Sequence, residues 1–496
     1  MTKPAVIILA AGEGTRMRSS TPKVLHRLAG VTLLGHAIRA AQATDPGQIV
    51  VVVRHGRDQV AEEALRWAPQ ALIADQDETP GTGRAVQCAL AALEALPQNV
   101  AAPAQILVIP GDTPLLDGPT LTQLATQHAQ ENNVITLLTA CLPNPFGYGR
   151  VVRNSQGQVE QIVEEKDASE EQRRLQEVNA SVYLFQTATL RDCISQVTQQ
   201  NAQGEVYLTD VVQLARQQGG AVGALTCKDP ATIAGINDRA ALSRVASTFN
   251  RRLVEQFQLQ GVTVVDPATT WIDAEVELEA DVTVLPGTHL AGNTVIAAGA
   301  VIGPFTTLTD TKVGRGATVD RTVATGVVIG PAANVGPFTH LRPGTVLGAD
   351  TKAGSFTELK AAQVETGAKV PHLAYVGDAA IGEGANVGAG TIFANYDGVH
   401  KSRCSIGPAV RIGSNNVIVA PVEMGAGAYS GAGTIVRGDV PPGALVVSAP
   451  AQRLVEGWTL RKRPGSSSAR AAAQAGSWDN GGGADLEPGQ TPTMQD

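Results

Sequence analysis

Val323 to Leu359 reads VATGVVIGPAANVGPFTHLRPGTVLGADTKAGSFTEL. An aliphatic or small apolar residue returns at every sixth position, at Val323, Ile329, Val335, Leu341, Leu347, Ala353 and Leu359. A helix repeats about every 3.6 residues and a half-buried strand about every second one, so this spacing fits neither. It marks a parallel β-helix, in which each six-residue side ends in a tight corner, the aliphatic points inward and stacked coils share one core. After an offset the pattern resumes at Val370 and Val376, and later at Ile406, Ile412, Ile418, Met424, Ser430 and Val436. Gly330, Gly336, Gly382, Gly388, Gly407 and Gly413 are expected at corners, where a positive φ favours glycine. A disordered glycine-rich stretch would not hold an aliphatic phase for so long.

Working outward, the repeat sets the divisions of the chain. At 496 residues one hydrophobic core is not expected to suffice. Upstream, short apolar runs alternate with helical spacing: AVIIL at Ala5 to Leu9, then Leu33, Leu34, Ala37, Ile38 and Ala41, then IVVVV at Ile49 to Val53 and ILVI at Ile106 to Ile109. That alternation predicts a Rossmann-like α/β domain over residues 1–237, with a mostly parallel sheet and ligands beyond the carboxyl ends of its strands. Leu242, Val245, Phe249, Leu253 and Phe257 form one stripe of a linking helix over 238–260. The β-helix then occupies 261–458, and a Ser, Ala, Gly and Pro-rich tail over 459–496 is expected to be disordered.

The net charge of −8 gives no global attraction for nucleic acid or anionic lipid, so any phosphate binding must be local. No run reaches the roughly 18 apolar residues of a membrane span, and the opening MTKPAVIILAAG lacks a secretory signal's long apolar region. A cytoplasmic location is expected, without nucleic-acid or membrane partners. Cys88, Cys141, Cys193, Cys227 and Cys404 match neither a disulfide framework nor a zinc site and are expected to be reduced.

Two groups of residues carry chemistry. LAAGEGTRM at Leu9 to Met17 follows the first strand and PKVLH runs from Pro22 to His26. It has neither the Gly-Lys-Ser/Thr of a Walker loop nor the dinucleotide GxGxxG, but a glycine loop with Arg16 and Lys23 can wrap a triphosphate. Gln76 precedes Pro80-Gly81-Thr82-Gly83, a turn suited to approach a base, and Asp112 stands just past a buried strand where a carboxylate can hold Mg²⁺. Alone, Asp112 would read as a turn residue and Asn237 as a helix cap. In the β-helix, Arg342, Lys360, His372, Tyr375, Asn386 and Lys401 fall across about five coils. Three cations suit an anionic sugar phosphate, and a histidine suits a general base that deprotonates an amine near neutral pH.

LAAGEGTRM, PKVLH, GTG, PGD, GYGR (Gly147 to Arg150), IVEEKDA (Ile162 to Ala168) and EVNA (Glu177 to Ala180) resemble the sugar-nucleotide pyrophosphorylases. With LRPG, ELK, PHLAYVGDA, NVGAGTI and NYDG downstream, residues 5 to 460 resemble the bacterial N-acetylglucosamine-1-phosphate uridylyltransferase/glucosamine-1-phosphate acetyltransferase family. The resemblance implies a left-handed β-helix and two activities that together make UDP-N-acetylglucosamine for peptidoglycan and other envelope polysaccharides. It implies that Leu9, Ala10, Ala11, Gly12, Lys23, Gln76, Gly81 and Thr82 hold the uridine nucleotide of UTP. Gly149, Glu164 and Asn179 would grip the sugar of N-acetylglucosamine 1-phosphate, and Asp112 and Asn237 would ligate Mg²⁺, with Arg16 and Lys23 catalytic. Arg342, Lys360, Tyr375, Asn386 and Lys401 would bind glucosamine 1-phosphate, His372 would be the base, and Ala389, Asn395, Tyr396, Ser414 and Ala432 would contact acetyl-coenzyme A. It also implies a homotrimer with active sites between subunits. Three positions depart from the family pattern: Glu13 and Pro110, where basic and aromatic residues are common, and Ala449, where an Arg contacts coenzyme A. Two rival readings are a pyrophosphorylase with an inert β-helix and a purely structural assembly protein.

Overall fold

Ala5–Leu9 is apolar throughout because both of its faces are covered, the pattern of a central parallel strand. The computed structural model describes residues 3–97, 101–448 and 452–475. In it Ala5–Leu9 pairs in parallel with Gln48–Val53 and Gln105–Pro110, and Leu72–Asp75 extends the parallel run. Helices Leu33–Gln42, Arg57–Trp67, Thr82–Glu94 and Gly118–Gln130 follow these strands and cover the sheet, whose two faces each carry a buried apolar cluster.

The far side of the sheet is mixed. Glu177–Gln186 runs antiparallel to both Gln105–Pro110 and Ile135–Cys141, while Val222–Thr226 returns to parallel pairing. The chain between Cys141 and Glu177 holds no long crossover helix. Instead it forms the hairpin Arg150–Arg153 and Val159–Val163, turned at Asn154 to Gly157 and docked on Glu177–Gln186. Without a crossover the next strand enters antiparallel.

Helix Arg239–Leu259 is capped by Asp238, whose side chain accepts from the Ala241 N–H at 2.7 Å. Its first half, through Leu242, Val245, Ala246 and Phe249, packs on Met17, Leu28, Leu33, Leu115 and Ile236. Its second half, through Val254 and Phe257, closes the end of the β-helix core. The ion pair of Arg39 with Glu275 and the bond from Ala274 N–H to Ala29 O at 3.0 Å tie the two units together.

The C-terminal unit is a left-handed parallel β-helix with three faces. One runs from Thr263–Val264 through Lys352–Ser355 to Lys369–His372, the second from Trp271–Ile272 to Ile435–Val436, and the third from Glu277–Leu278 to Val422–Met424. Strand pairs such as Leu341 with Leu359 and Ile406 with Met424 put the periodic aliphatics on top of one another, and all are buried in one core. One position departs from the expected frame: Val323 is 50 % exposed and Ala324 points inward. Ala324 stacks between Leu308 and Leu341, so the corner before Ile329 is one residue shorter than the six-residue rule.

The reason for the corner glycines also differs. Of the six named, only Gly336 has a positive φ. At the others a Cβ would strike the backbone of the next coil: 2.5 Å from Gly348 at Gly330, 2.6 Å from Gly407 at Gly382, 2.3 Å from Gly413 at Gly388, 2.8 Å from Ala426 at Gly407 and 2.7 Å from Gly431 at Gly413. These glycines let coils stack. Left-handed corner positions are filled elsewhere by residues with side chains, among them Ala332, Asp350 and Ala409.

Trp458–Lys462 and Ser467–Gln474 are helical, where disorder was expected from 459 onward. Ser466 caps the second helix through Ala469 N–H, and its alanines are strong helix formers. Residues 476–496 and Ala449 lie outside the described residues. No described helix is long and apolar enough to cross a membrane, and all five cysteines are free.

Candidate functional site

The loops after three parallel strands converge at their carboxyl ends. Beyond Leu9 the chain turns through Ala10 to Gly14 into the short turn Thr15–Met17. A Cβ on Gly14, at φ +68, would lie 2.5 Å from Lys23 Cβ, so glycine here lets Lys23 pass. The Lys23 ammonium donates to Asp112 Oδ2 at 2.5 Å and to Asn237 Oδ1 at 3.4 Å. Arg16 donates to the same Asn237 oxygen at 3.1 Å. Asp112 O accepts the Ile236 N–H at 3.0 Å, which fixes the GINDR turn beside the Asp112 loop. Because Asp238 and not Asn237 caps the following helix, the Asn237 amide is released to face the two cations. Residues far apart in sequence thus form one compact cluster of two cations and two oxygen donors.

Gln76 Nε2 donates to Thr79 O at 2.9 Å and Gly81 O at 3.3 Å, bracing the turn. Gly81 has φ +119, and a Cβ on it would come within 2.3 Å of Val206 O; no other residue fits. Thr82 Oγ1 accepts from Leu208 N–H at 3.2 Å. Ala10 is buried, whereas Gly12 is exposed with open space around it.

Gly149, Glu164 and Asn179 also come together. A Cβ on Gly149 would stand 3.4 Å from both Glu164 carboxylate oxygens, and Asn179 N–H donates to Gly149 O at 2.9 Å. Asn179 Nδ2 donates to the Tyr183 hydroxyl at 2.6 Å, and Thr209 Oγ1 to Glu164 Oε1 at 3.3 Å. Burial pushes the Glu164 carboxyl up, opposed by the Thr209 bond and helped by the nearby charges of Asp210, Asp167 and Glu205. Arg16, Gly147, Arg150, Glu164 and Lys166 line one cleft, so Glu164 and the Arg16 guanidinium share a single opening.

On the β-helix, Arg342, Lys360 and Tyr375 project from successive coils of the second face. Lys360 Nζ donates to Asp378 Oδ2 at 3.0 Å, and Asn395 Nδ2 donates to the same oxygen at 2.5 Å. A Cβ on Gly377 would lie 2.5 Å from the Tyr375 hydroxyl and 2.6 Å from Asn395 Nδ2, so these polar groups meet over that glycine. Burial works against ionisation of Asp378, yet the bonds from Lys360 and Asn395 and the charges of Lys360 and Lys401 outweigh it and hold its carboxyl below the usual range. Lys401 and Tyr396 bridge the base of an exposed loop that leaves the coil stack at Asn395. Arg342 is paired with Glu358 at 2.9 Å.

His372 is exposed and stands at the corner between the first and second faces. Its carbonyl accepts from Gly390 N–H at 3.3 Å, Ala389 O from Asn415 N–H at 2.7 Å, and Ser414 O from Gly433 N–H at 2.8 Å. His372, Ala389, Ser414 and Ala432 therefore follow one edge of the helix, with the imidazole-bearing residue at its foot. Asn386 lies around the corner on the first face, bridged to Lys369 and Arg411, and does not join the Lys360 cluster. Asp378, Glu358, Thr209 and Tyr183 were not singled out from sequence; Asp378 stood inside the quoted PHLAYVGDA, but only contacts show that it organises Lys360 and Asn395.

Residues 6–178 match the MobA-like NTP transferase domain family. Over 95 % of its length the chain is 56 % identical to "Bifunctional protein GlmU" of Kineococcus radiotolerans, covering 95 % of that protein. It is 53 % identical to the proteins of the same name from Clavibacter sepedonicus, covering 94 % of it, and Mycolicibacterium gilvum, covering 95 %.

Proposed function

Because the chain belongs to the family of bifunctional GlmU proteins, we infer that it makes UDP-N-acetylglucosamine by two transfers on two folds. The β-helix acetylates glucosamine 1-phosphate with acetyl-coenzyme A. The α/β domain transfers UMP from UTP to N-acetylglucosamine 1-phosphate and releases diphosphate. The observation that carries this reading is the presence, in one chain, of two separate cation-lined polar sites: Arg16, Lys23, Asp112 and Asn237 on one fold, and Lys360, Asp378, Asn395 and Tyr375 on the other, across one face of the β-helix from the His372 edge.

In the first site the sugar phosphate oxygen is already a nucleophile, so no general base is needed and rate comes from alignment and charge neutralisation. Lys23 and Arg16 stabilise the negative charge that builds on the phosphates. Leu9, Ala10, Ala11, Gly12, Gln76, Gly81 and Thr82 hold the nucleotide, and Gly149, Glu164 and Asn179 hold the sugar. Asp112 and Asn237 offer a carboxylate and an amide oxygen side by side. No cage of three or more His, Cys, Asp or Glu exists among the described residues. Such a sparse set suits Mg²⁺, which keeps waters and takes its remaining ligands from phosphates. Asp112 and Asn237 would hold the ion, which would supply positive charge to offset that of the phosphates.

In the second site His372 takes the proton from the substrate amine as it attacks the thioester carbonyl, which expels the coenzyme A thiolate. Arg342, Lys360, Tyr375, Asn386 and Lys401 hold the sugar phosphate. Ala389, Asn395, Tyr396, Ser414 and Ala432 line the path of acetyl-coenzyme A. Asn386 faces away from Lys360 within one chain, which favours a homotrimer whose neighbouring subunit completes the site. Such an enzyme works in the cytoplasm, where UTP and acetyl-coenzyme A are supplied. Two assays test the whole reading: thiol release from acetyl-coenzyme A with glucosamine 1-phosphate, and diphosphate release from UTP with N-acetylglucosamine 1-phosphate. Both are expected from one preparation; a folded chain active in only the second would leave the β-helix as scaffold.

A further inference from the structure

Arg150 is a charged side chain only 2 % exposed. Its Nη2 donates to Glu165 Oε2 at 2.8 Å and to Arg173 O at 3.4 Å, and its Nη1 to Tyr148 O. Its Nε is buried without a partner. Glu165 Oε2 accepts the Gly147 N–H at 3.0 Å as well, and Glu165 Oε1 lies 3.8 Å from Arg173 Nε. A buried guanidinium with an unmatched donor, paired to a half-buried carboxylate, is a poor way to gain stability, since a packed apolar side chain of similar volume serves as well or better. Its position suggests what it is for.

Arg150 opens the strand that lies between two others, opposite Val163 on one side and Val178 on the other. Gly149 sits between Arg150 and Tyr148, whose carbonyl the guanidinium holds. Glu164 sits between Val163 and Glu165, whose carboxylate it pairs with. Asn179 follows Val178 and bonds Gly149. Each of the three sugar-site residues is thus one residue from a group that Arg150 or Glu165 restrains.

Resting on the functional reading above, we propose that Arg150 and Glu165 are a positioning pair that sets the spacing of Gly149, Glu164 and Asn179 and so the affinity for the sugar phosphate, without touching the nucleotide. The pair spans three separate segments, the 147–150 loop, the 164–165 loop and the helix Glu170–Arg173, and loss of either partner lets them move independently.

The test compares Glu165→Gln and Arg150→Lys with the parent in the full chain. Initial rates are measured with N-acetylglucosamine 1-phosphate varied at saturating UTP and the reverse, and acetyltransfer in the same preparation reports the integrity of the protein. Calorimetric titration with UDP-N-acetylglucosamine and with UTP reads the same split without turnover. The sugar-phosphate KM should rise about 10-fold for Glu165→Gln, as small misplacements of binding groups produce, while the UTP KM stays within about twofold and acetyltransfer is unchanged. Arg150→Lys should be milder, because lysine keeps the charge but cannot reach all three oxygens; if it fails to fold, Glu165→Gln decides. An unmoved sugar KM in an active, folded variant overturns the pair, as does an equal rise in both KM values. A parent chain with neither uridylyltransfer nor sugar-nucleotide binding overturns the functional reading, and this pair with it.

Discussion

Gly388→Ala places a methyl group 2.3 Å from Gly413 O and 2.4 Å from Gly413 C. The obstacle is the backbone of the next coil, not the end of a flexible side chain, so the coils must part for it to fit. Overpacking costs typically about 1–3 kcal/mol, and a backbone obstacle puts this site at the upper end. Gly367→Ala is the control, because Gly367 has φ +68 but nothing within 4 Å of the added carbon. There the cost is the left-handed conformation alone, roughly 1–2 kcal/mol, offset in part by lost freedom in the unfolded chain. At ~2–4 °C per kcal/mol for a unit of this size, about 3 kcal/mol lowers the β-helix melting step by roughly 6–12 °C, against ~4 °C or less for the control. Scanning calorimetry of the full chain, with the β-helix step identified by its response to acetyl-coenzyme A, measures both. Gly388 also precedes Ala389 on the His372 edge, so acetyltransfer should fall in Gly388→Ala while uridylyltransfer does not. If Gly367→Ala proved the more damaging, glycine would stand at these corners for its φ, and the stacking argument would be refuted.

Other outcomes follow from the same contacts. Ending the chain at Leu259 should retain uridylyltransfer, whereas ending it at Asn237 uncovers Met17, Leu28, Leu33 and Leu115 and should yield an inactive, aggregating fragment on size-exclusion chromatography. Glu164→Gln removes a carboxyl that burial pushes up. A raised folded value means that stability from this group is present at low pH and lost as pH rises through that value, so the variant should melt higher than the parent at pH 8 and equal to it at pH 4, while binding the sugar more weakly; equal melting at both pH values would contradict this. Acetyltransfer by His372→Ala should recover in part as pH is raised, because more substrate amine is free and the base matters less; a pH profile parallel to that of the parent would speak against the assignment.

What the sequence shows and what it hides divide along physical lines. Sixfold periodicity survives in the letters because each inward aliphatic is a local requirement, but the short corner at Ala324 does not, since Val and Ala both satisfy the pattern and only stacking on Leu308 and Leu341 selects between them. Corner glycines were legible as positions and misleading as to cause, because a clash with the next coil is a contact distant in sequence. The helix over Ser467–Gln474 was hidden by composition: alanine and serine mark low complexity as readily as a capped helix. In the α/β site Lys23, Asp112 and Asn237 could be named from motifs, yet that Asp238 takes over the cap and frees Asn237 required the backbone. Arg150 and Glu165 lay within quoted motifs, and nothing in their spacing showed that one buried guanidinium holds three segments.

The central claim is that two chemistries reside on separate units of one chain, and a paired assay of two variants tests it most directly. Asp112→Asn should lower uridylyltransfer by about 10²-fold or more, the several kcal/mol that an anchored metal supplies, and leave acetyltransfer within about twofold of the parent. His372→Ala should do the reverse, losing ~10²-fold or more of acetyltransfer at neutral pH. Retention of acetyltransfer within about twofold in His372→Ala, or loss of both activities in either variant while it remains folded, would contradict the account.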